Sequence, residues 1–281
     1  MAAKTETAPA TMGTVASADG TTIAYEKVGS GPALVLVDGA LCDRGFGPCR
    51  PLAAELADRF TVYLYDRRGR GDSGDTAASA PTTTPEREVE DLRAVLDRAS
   101  EENGGGPVAV YGSSSGAGLA LEAAAAGVPM RALVTYEAPY VAAGWKNPDV
   151  DHLAVVDGLL TEGKNGSAVG YFLVTMVGAP AFVPFMMRLM PSVWKHMRAV
   201  APTLPNDIRI MSGFRVPADR LSRIAVKTLV LVGGKAAEPM RDAQTAVAAA
   251  VPGARSGVLD GQTHQVSAKA IAPQIAAFVS A

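Results

Sequence analysis

The feature of this sequence best suited to chemistry is a serine flanked by glycines. Residues 112–116 read GSSSG, which places Ser114 between Gly112 and Gly116. A serine hydroxyl is a weak nucleophile until a base removes its proton and hydrogen-bond donors stabilise the oxyanion that forms. A sharp strand-to-helix turn with small residues two positions before and after the serine exposes the hydroxyl beside the free N–H groups of the helix start. Ser114 is therefore the predicted nucleophile.

The elements on either side of this serine are those that such a turn requires. Val108–Tyr111 is a short apolar run typical of a buried strand, and Ser115–Ala126 is an alanine-rich segment typical of a helix. Gly-x-Ser-x-Gly also occurs by chance, and these flanking elements favour a functional turn over an inert Gly/Ser loop. Ser113 and Ser115 lie off the apex of the turn and are not the predicted nucleophile.

With two further motifs, the turn resembles that of the α/β-hydrolase superfamily, and the resemblance extends over roughly residues 14–281. One motif is the apolar run Ala33–Val37 followed by Asp38-Gly39, where the family usually has His-Gly. The other is the segment DRRGRGDSG at residues 66–74, which resembles an arginine- and glycine-rich structural turn of the family. Asp38 could carry a carboxylate near the site or brace its turn, and we favour bracing.

The resemblance implies a fold, a base and an oxyanion hole. The fold is an α/β architecture in which a mostly parallel eight-stranded sheet has helices on both faces and a helical cap inserted after strand 6. Family members of this kind need no cofactor and no metal, so none is expected. The backbone N–H groups of Ala40 and Ser115 would bind the oxyanion. His264 follows the last strand, where the family keeps its base, whereas His152 and His196 lie in the cap.

Three carboxylates compete for the role of the acid that orients this histidine. In most relatives the acid follows the strand Thr228–Val232, but Ala236 occupies that position and Glu238 comes two residues later, at a helix start where acidic residues are common. In haloalkane dehalogenases of the same fold, the acid instead ends the preceding strand, which corresponds to Glu137. A carboxylate that ends an apolar buried strand needs a partner, and an imidazolium would be one. We favour Glu137 over Glu238, and Asp260 is the third alternative.

The order of the predicted elements places this site in one alternating α/β domain. Strand and helix signals alternate from Thr14 onward, as in a parallel sheet covered by helices. The predicted strands are Thr14–Ala18, Thr22–Glu26, Ala33–Val37, Phe60–Tyr65, Val108–Tyr111, Leu133–Tyr136, Thr228–Val232 and Arg255–Leu259, and the helices Leu52–Leu56, Glu86–Leu96, Ser115–Ala126 and Ile271–Val279. The domain prediction is a flexible N-terminus at 1–13, a core at 14–139 and 224–281, and a helical cap at 140–223.

Composition excludes several functional classes. The 281 residues are 48% hydrophobic and 19% charged, which is typical of a globular chain. The net charge is −2 and no basic stripe is present, so nucleic acid is not an expected partner. Cys42 and Cys49 lack histidines at zinc spacing and are expected to be reduced thiols packed near a pocket.

The sequence also argues against a membrane span. The most apolar stretch, residues 169–190, is interrupted by prolines and an arginine. Residues 1–13 contain no apolar region of the kind that a signal peptide needs. We therefore expect a cytoplasmic protein that has a small molecule and no membrane as its partner, and we leave a homodimer open.

Aromatic and methionine side chains of the predicted cap indicate an apolar binding surface. At helical spacing such residues usually form the core of the cap itself, but together they favour an apolar acyl or lactone group over a sugar or a charged peptide. The side chains predicted to bind substrate are Leu41, Phe172, Met176, Phe185 and Met186.

Three functions agree with these residues. The favoured one is hydrolysis of carboxylic esters or lactones of small, largely apolar substrates through Ser114, His264 and Glu137, with an acyl-enzyme intermediate. The second is acyl transfer or a tailoring step in natural-product synthesis with the same triad. The third is a ligand receptor or pseudoenzyme on the same fold. A serine at the apex argues against dehalogenase and epoxide-hydrolase chemistry, for which this fold uses an aspartate.

Overall fold

An eight-stranded sheet forms the centre of the molecule in a computed structural model that describes residues 10–75, 84–141 and 149–281. Its strands are β1 (Thr11–Ala16), β2 (Thr22–Gly29), β3 (Ala33–Val37), β4 (Thr61–Tyr65), β5 (Val108–Ser113), β6 (Met130–Tyr136), β7 (Thr228–Gly233) and β8 (Arg255–Leu259). Their order across the sheet is β1-β2-β4-β3-β5-β6-β7-β8. Strand β2 runs antiparallel to β1 and β4, and the other neighbouring pairs are parallel. The predicted α/β architecture is confirmed.

The helices fall into two groups according to whether they cover the sheet or form the cap. Those that alternate with the strands are α1 (Cys49–Leu56), α2 (Pro85–Glu102), α3 (Ser115–Ala125), α10 (Glu238–Ala250) and α11 (Ala268–Ser280). Those between β6 and β7 are α4 (His152–Thr161), α5 (Asn165–Tyr171), α6 (Val183–Arg188), α7 (Pro191–Val200), α8 (Leu204–Ile210) and α9 (Ala218–Leu221). A π-helical turn, Phe172–Met176, continues α5. None of the described helices is both long and apolar enough to cross a membrane.

The sheet separates two apolar cores, because its central strands are buried on both faces, as parallel strands in α/β proteins usually are. On one face, α1 and α11 cover side chains such as Leu34 and Leu64. On the other face, Val35 and Val110 belong to a cluster that also contains cap residues, including Leu204. The cap therefore shares its apolar core with the body.

Several boundaries differ from the sequence prediction, and two of them show why. Strand β1 begins at Thr11 and ends at Ala16, so residues 11–13, predicted to be flexible, pair with β2, while residues 1–9 of that segment lie outside the described residues. Helix α2 continues to Glu102, six residues past the predicted end. Its last turn is fixed by the hydroxyls of Tyr25 and Tyr63, which donate to the Glu102 carboxylate at 2.7 and 2.9 Å. Contacts between distant segments decide both boundaries, and the local pattern does not show them.

Candidate active site

Ser114 lies at the turn between β5 and α3 with φ 55° and ψ −128°, a conformation that L-residues rarely adopt. Close contacts around the turn explain its glycines. A Cβ atom at Gly116 would lie 2.3 Å from the carbonyl oxygen of Val37, and one at Gly39 would lie 2.9 Å from the Cβ of Ser114. The turn after β3 therefore lies directly against Ser114.

The structure brings Ser114, His264 and Glu137 together in one line of contacts. His264 Nε2 lies 3.2 Å from Ser114 Oγ, and His264 Nδ1 lies 2.7 Å from Glu137 Oε2. The three residues follow β5, β8 and β6, and the carboxyl ends of these parallel strands meet at the same edge of the sheet. The order along this line is hydroxyl, imidazole and carboxylate, which is the order of groups in a Ser-His-Asp type of triad.

Glu137 is held in place by more than the histidine. Its side chain is 1% exposed, and its Oε1 accepts a hydrogen bond of 2.9 Å from the backbone N–H of Gly233. Both carboxylate oxygens therefore have a partner, which a buried charge requires. Its backbone is also unusual, with φ 48°.

The competing acids lie elsewhere. Glu238 is exposed at the first position of α10, and Asp260 is exposed just after β8. Neither hydrogen-bonds His264 in the part of the chain that the structure describes. The position at the end of a buried apolar strand was therefore the correct signal for the carboxylate that meets the histidine.

The predicted oxyanion donors border the same cavity as the serine. Ala40 and Ser115 both line it beside Ser114 and His264. Ser115 is the first residue of α3, and N–H groups in the first turn of a helix have no partner within that helix. The Ser115 hydroxyl points to the cap, where it donates to Asp207 Oδ1 at 2.7 Å.

Asp207, on cap helix α8, is a residue of the site that the sequence prediction missed. Its buried carboxylate accepts hydrogen bonds from Arg67 Nη1 at 2.7 Å and from Arg70 Nη2 at 2.8 Å. Burial acts to raise the pKa of Asp207, but the two guanidinium groups hold it below its ordinary value. Arg67 also donates to Glu88 at 2.6 Å. The arginine-rich turn could have signalled a need for buried carboxylates, but not which residues supply them.

The cavity above Ser114 has a volume of about 300 Å³ and a largely apolar wall. The polar side chains that border it belong to Ser114, Ser115, Glu137, Asp207, Lys235 and His264. The apolar lining residues are Ala40, Pro139, Val141, Phe172, Met176, Val177, Ile208, Met211, Phe214, Ala236, Ala237 and Met240. Phe172 and Met176 thus lie where the sequence predicted.

Three predicted substrate contacts do not border this cavity. Leu41 is buried in the core, and its carbonyl oxygen accepts a hydrogen bond of 3.2 Å from His196 Nε2. Phe185 and Met186 are exposed on the outer side of cap helix α6. Apart from Arg188, helix α6 consists of apolar residues, and such a pattern does not show which side faces the body.

Asp38 lies behind the turn rather than in the cavity. Its carboxylate accepts a hydrogen bond of 3.4 Å from the backbone N–H of Cys49, the first residue of α1. Burial raises the pKa of Asp38 to about 7. Its position agrees with a bracing role. Cys42 and Cys49 are free thiols that do not border the cavity.

The remaining histidine and the acidic residues suggest no further centre. His152 Nδ1 lies 2.7 Å from the hydroxyl of Tyr171 within the cap. Among the described residues, no group of three or more His, Cys, Asp and Glu side chains could hold a metal ion.

Comparison with known proteins identifies the family to which this chain belongs. The model of the alpha/beta hydrolase family matches residues 34–272. An alpha/beta hydrolase from Sphaerobacter thermophilus is 44% identical with a TM-score of 0.84, over 95% of this chain and 99% of that chain. An esterase from Rhodococcus sp. is 19% identical with a TM-score of 0.68, over 96% of this chain and 98% of that chain. An esterase from Exiguobacterium antarcticum is 18% identical with a TM-score of 0.70, over 95% of this chain and 99% of that chain. The two esterases, at under 20% identity, show only a shared fold. The family match covers most of the chain. The chain is therefore a hydrolase that belongs to the alpha/beta hydrolase family.

Proposed function

We propose that this protein is a serine esterase that hydrolyses carboxylic esters or lactones of small, largely apolar substrates. The observation that carries the proposal is the line of contacts from Ser114 Oγ to His264 Nε2 and from His264 Nδ1 to Glu137 Oε2, at the floor of an apolar cavity. This is the arrangement that activates a serine for acyl transfer.

In the first half of the proposed reaction, His264 takes the proton of Ser114 as Oγ attacks the substrate carbonyl carbon. The N–H groups of Ala40 and Ser115 donate to the oxyanion that forms. Glu137 fixes the tautomer of His264 that leaves Nε2 free to accept the proton, and its charge stabilises the imidazolium. The alcohol then leaves with the proton from His264, and Ser114 carries the acyl group.

In the second half, a water molecule gives a proton to His264 and attacks the acyl carbon. Collapse of the second oxyanion breaks the bond to Ser114 Oγ, which recovers its proton from His264. Every proton transfer passes through one imidazole, so no cofactor is needed for this cycle.

The cavity supports a small, uncharged acyl group. About 300 Å³ lies at the lower end of the volumes typical of small-molecule sites. Side chains from the π-helical turn and α8–α9 region, such as Phe172, Met176 and Phe214, offer apolar contact. The charge of Asp207 is already paired with two arginines, so it offers little attraction to a cationic substrate.

Turnover of p-nitrophenyl esters of increasing acyl length tests the proposal. We expect hydrolysis by the wild type that falls once the acyl chain exceeds the cavity. Ser114→Ala should lower kcat/KM by about 10³-fold or more. The neighbouring Ser113→Ala, which removes a hydroxyl off the apex, is the matched control and should retain most activity. A wild-type protein that binds such esters without turnover would support a receptor or pseudoenzyme instead.

A further inference from the structure

Apart from Arg188, cap helix α6 consists of apolar residues, but only one of its sides is packed. Pro184 is buried, and Met187 packs against the core. On the other side, four residues at the i, i+3, i+4 and i+7 positions share one face. These four residues and the one that follows them form what we call the outer patch. Their exposed fractions are 64% for Phe182, 60% for Phe185, 50% for Met186, 63% for Leu189 and 55% for Met190. Large apolar side chains that cluster on an exposed surface usually mark an interaction site, so this side lacks its partner.

The cap segment that carries the outer patch contains basic residues and no acidic ones. Between Glu162 and Asp207 the sequence contains no Asp or Glu, although the whole chain has a net charge of −2. The cations of this segment are Lys164, Arg188, Lys195 and Arg198. Lys164 pairs with Glu162 at 2.6 Å. The other three are exposed and form no ion pair with any residue that the structure describes.

These three cations lie together beside the outer patch. Arg188, Lys195 and Arg198 line one shallow groove on the cap with Trp194, and the guanidinium carbon of Arg188 lies 5.1 Å from the centre of the Trp194 ring. Arg188 comes from α6 itself, between the exposed Met186 and Leu189. Large apolar side chains and uncompensated cations therefore share one region of the surface.

We propose that the outer patch docks this protein on an anionic lipid surface. Phe182, Phe185 and Leu189 would enter the boundary between headgroups and acyl chains, and the cations of the groove would face lipid phosphates. A second copy of this chain fits less well, because a two-fold contact would bring the same cations together with no acidic residue from this segment to offset them. The proposal departs from the expectation of no membrane partner, which rested on the lack of a spanning segment, because docking of this kind lies on the membrane and does not need a helix that spans it.

The position of the outer patch links docking to the cavity. Helix α6 contacts the π-helical turn, whose residues Phe172 and Met176 line the cavity, and Val177 immediately after them is exposed. A docked cap would hold this wall of the cavity next to the lipid, where apolar esters concentrate. This consequence rests on the proposed esterase function, whereas docking itself does not.

Co-sedimentation with lipid vesicles tests the proposal. We expect the wild type to bind vesicles that contain phosphatidylglycerol, to bind vesicles of phosphatidylcholine alone weakly, and to be released by added salt. Phe185→Ser with Leu189→Ser, and separately Lys195→Glu with Arg198→Glu, should each lower binding by about tenfold or more. Val258→Ser, which alters an equally exposed apolar residue on β8, is the matched control and should bind as the wild type does.

Two further measurements make the outcome decisive. Each variant should keep the wild-type Tm and its rate on a water-soluble ester, because none of these side chains borders the cavity. Failure of the wild type to bind anionic vesicles, or binding that Phe185→Ser with Leu189→Ser leaves intact, would overturn the proposal. So would a wild-type dimer in sedimentation equilibrium that this double variant dissociates, because a second copy would then cover the patch. The rate on soluble esters tests the esterase function independently.

Discussion

At the residue scale, the candidate site depends on backbone conformations that most residues avoid. Ser114 and Glu137 have φ values of 55° and 48°. Such conformations cost about 1–3 kcal/mol each and persist only where the surroundings fix them. Here the N–H of Ser114 donates to the carbonyl oxygen of Tyr136 at 2.9 Å, and the N–H of Glu137 donates to that of Leu231 at 3.2 Å. The nucleophile and the acid are thus positioned by hydrogen bonds to neighbouring strands.

Replacement of the proposed acid tests its role. Glu137→Gln keeps an oxygen for the N–H of Gly233 but removes the charge that stabilises the imidazolium of His264. We expect kcat/KM for the best p-nitrophenyl ester to fall by about 10²–10⁴-fold. Glu238→Gln is the control and should stay within about twofold, because an exposed residue at a helix start makes only a small electrostatic contribution. Loss of rate in Glu238→Gln alone would show that the assignment of the acid is wrong.

The raised pKa of the buried Asp38 carboxyl group predicts that the stability of the protein depends on pH. Burial raises the pKa of this group in the folded protein to about 7 from the ordinary value of 3.8. Between these values the folded chain binds a proton that the unfolded chain has released, so the Asp38 contribution to the free energy of unfolding falls as pH rises from about 4 to 7. Asp38→Asn keeps an acceptor for the N–H of Cys49 and has no charge to bury. Its gain in Tm over the wild type should therefore be larger at about pH 8 than at about pH 4, and an equal gain at both would contradict this assignment.

At the scale of elements, buried ion pairs connect cap helix α8 to the turn after β4. Asp207 and Glu88 supply the negative charges for Arg67 and Arg70, and Asp207 also binds Ser115 at the start of α3. Asp207 is 140 positions from Arg67 and 92 from Ser115, so no local pattern could pair them. By contrast, Ala33–Val37 and Arg255–Leu259 were predicted with the observed bounds, because a short run between turn residues is a local signal.

Asp207→Asn tests this connection. It leaves the two buried guanidinium groups with one carboxylate fewer, and removal of one partner of a buried ion pair costs about 3–5 kcal/mol. We expect a fall of that size in the free energy of unfolding, measured in urea. Asp157→Asn in the same cap breaks the more exposed contact with Arg209 and should cost less than about 1 kcal/mol. Equal effects of the two substitutions would contradict a buried connection at Asp207.

At the scale of the whole molecule, body and cap share one apolar core. Cap residues such as Val169 and Met197 belong to the same buried cluster as Val37 and Leu119 of the body. The alternation of strands and helices predicted the fold class, because it follows from local periodicity. The outer side of α6 could not be predicted, because five of its six residues are apolar and such a pattern does not reveal which side the body covers.

Shared packing predicts that cap and body unfold together. Trp194 lies on cap helix α7, so in a Trp145→Phe variant tryptophan fluorescence reports on the cap, whereas far-UV circular dichroism reports on the whole chain. In urea the two signals should follow one transition with a common midpoint. A fluorescence change at clearly lower urea would show that the cap unfolds by itself, contrary to this prediction.

The central claim is that Ser114 is an activated nucleophile, and covalent labelling with a fluorophosphonate tests it most directly. Intact-mass spectrometry should show one adduct on the wild type, and peptide mapping should place it on Ser114. Ser114→Ala should remain unlabelled, and Glu137→Gln should react much more slowly, because its His264 is a weaker base in the transition state. An unlabelled wild type, or a Ser114→Ala protein labelled as fast as the wild type, would contradict the account.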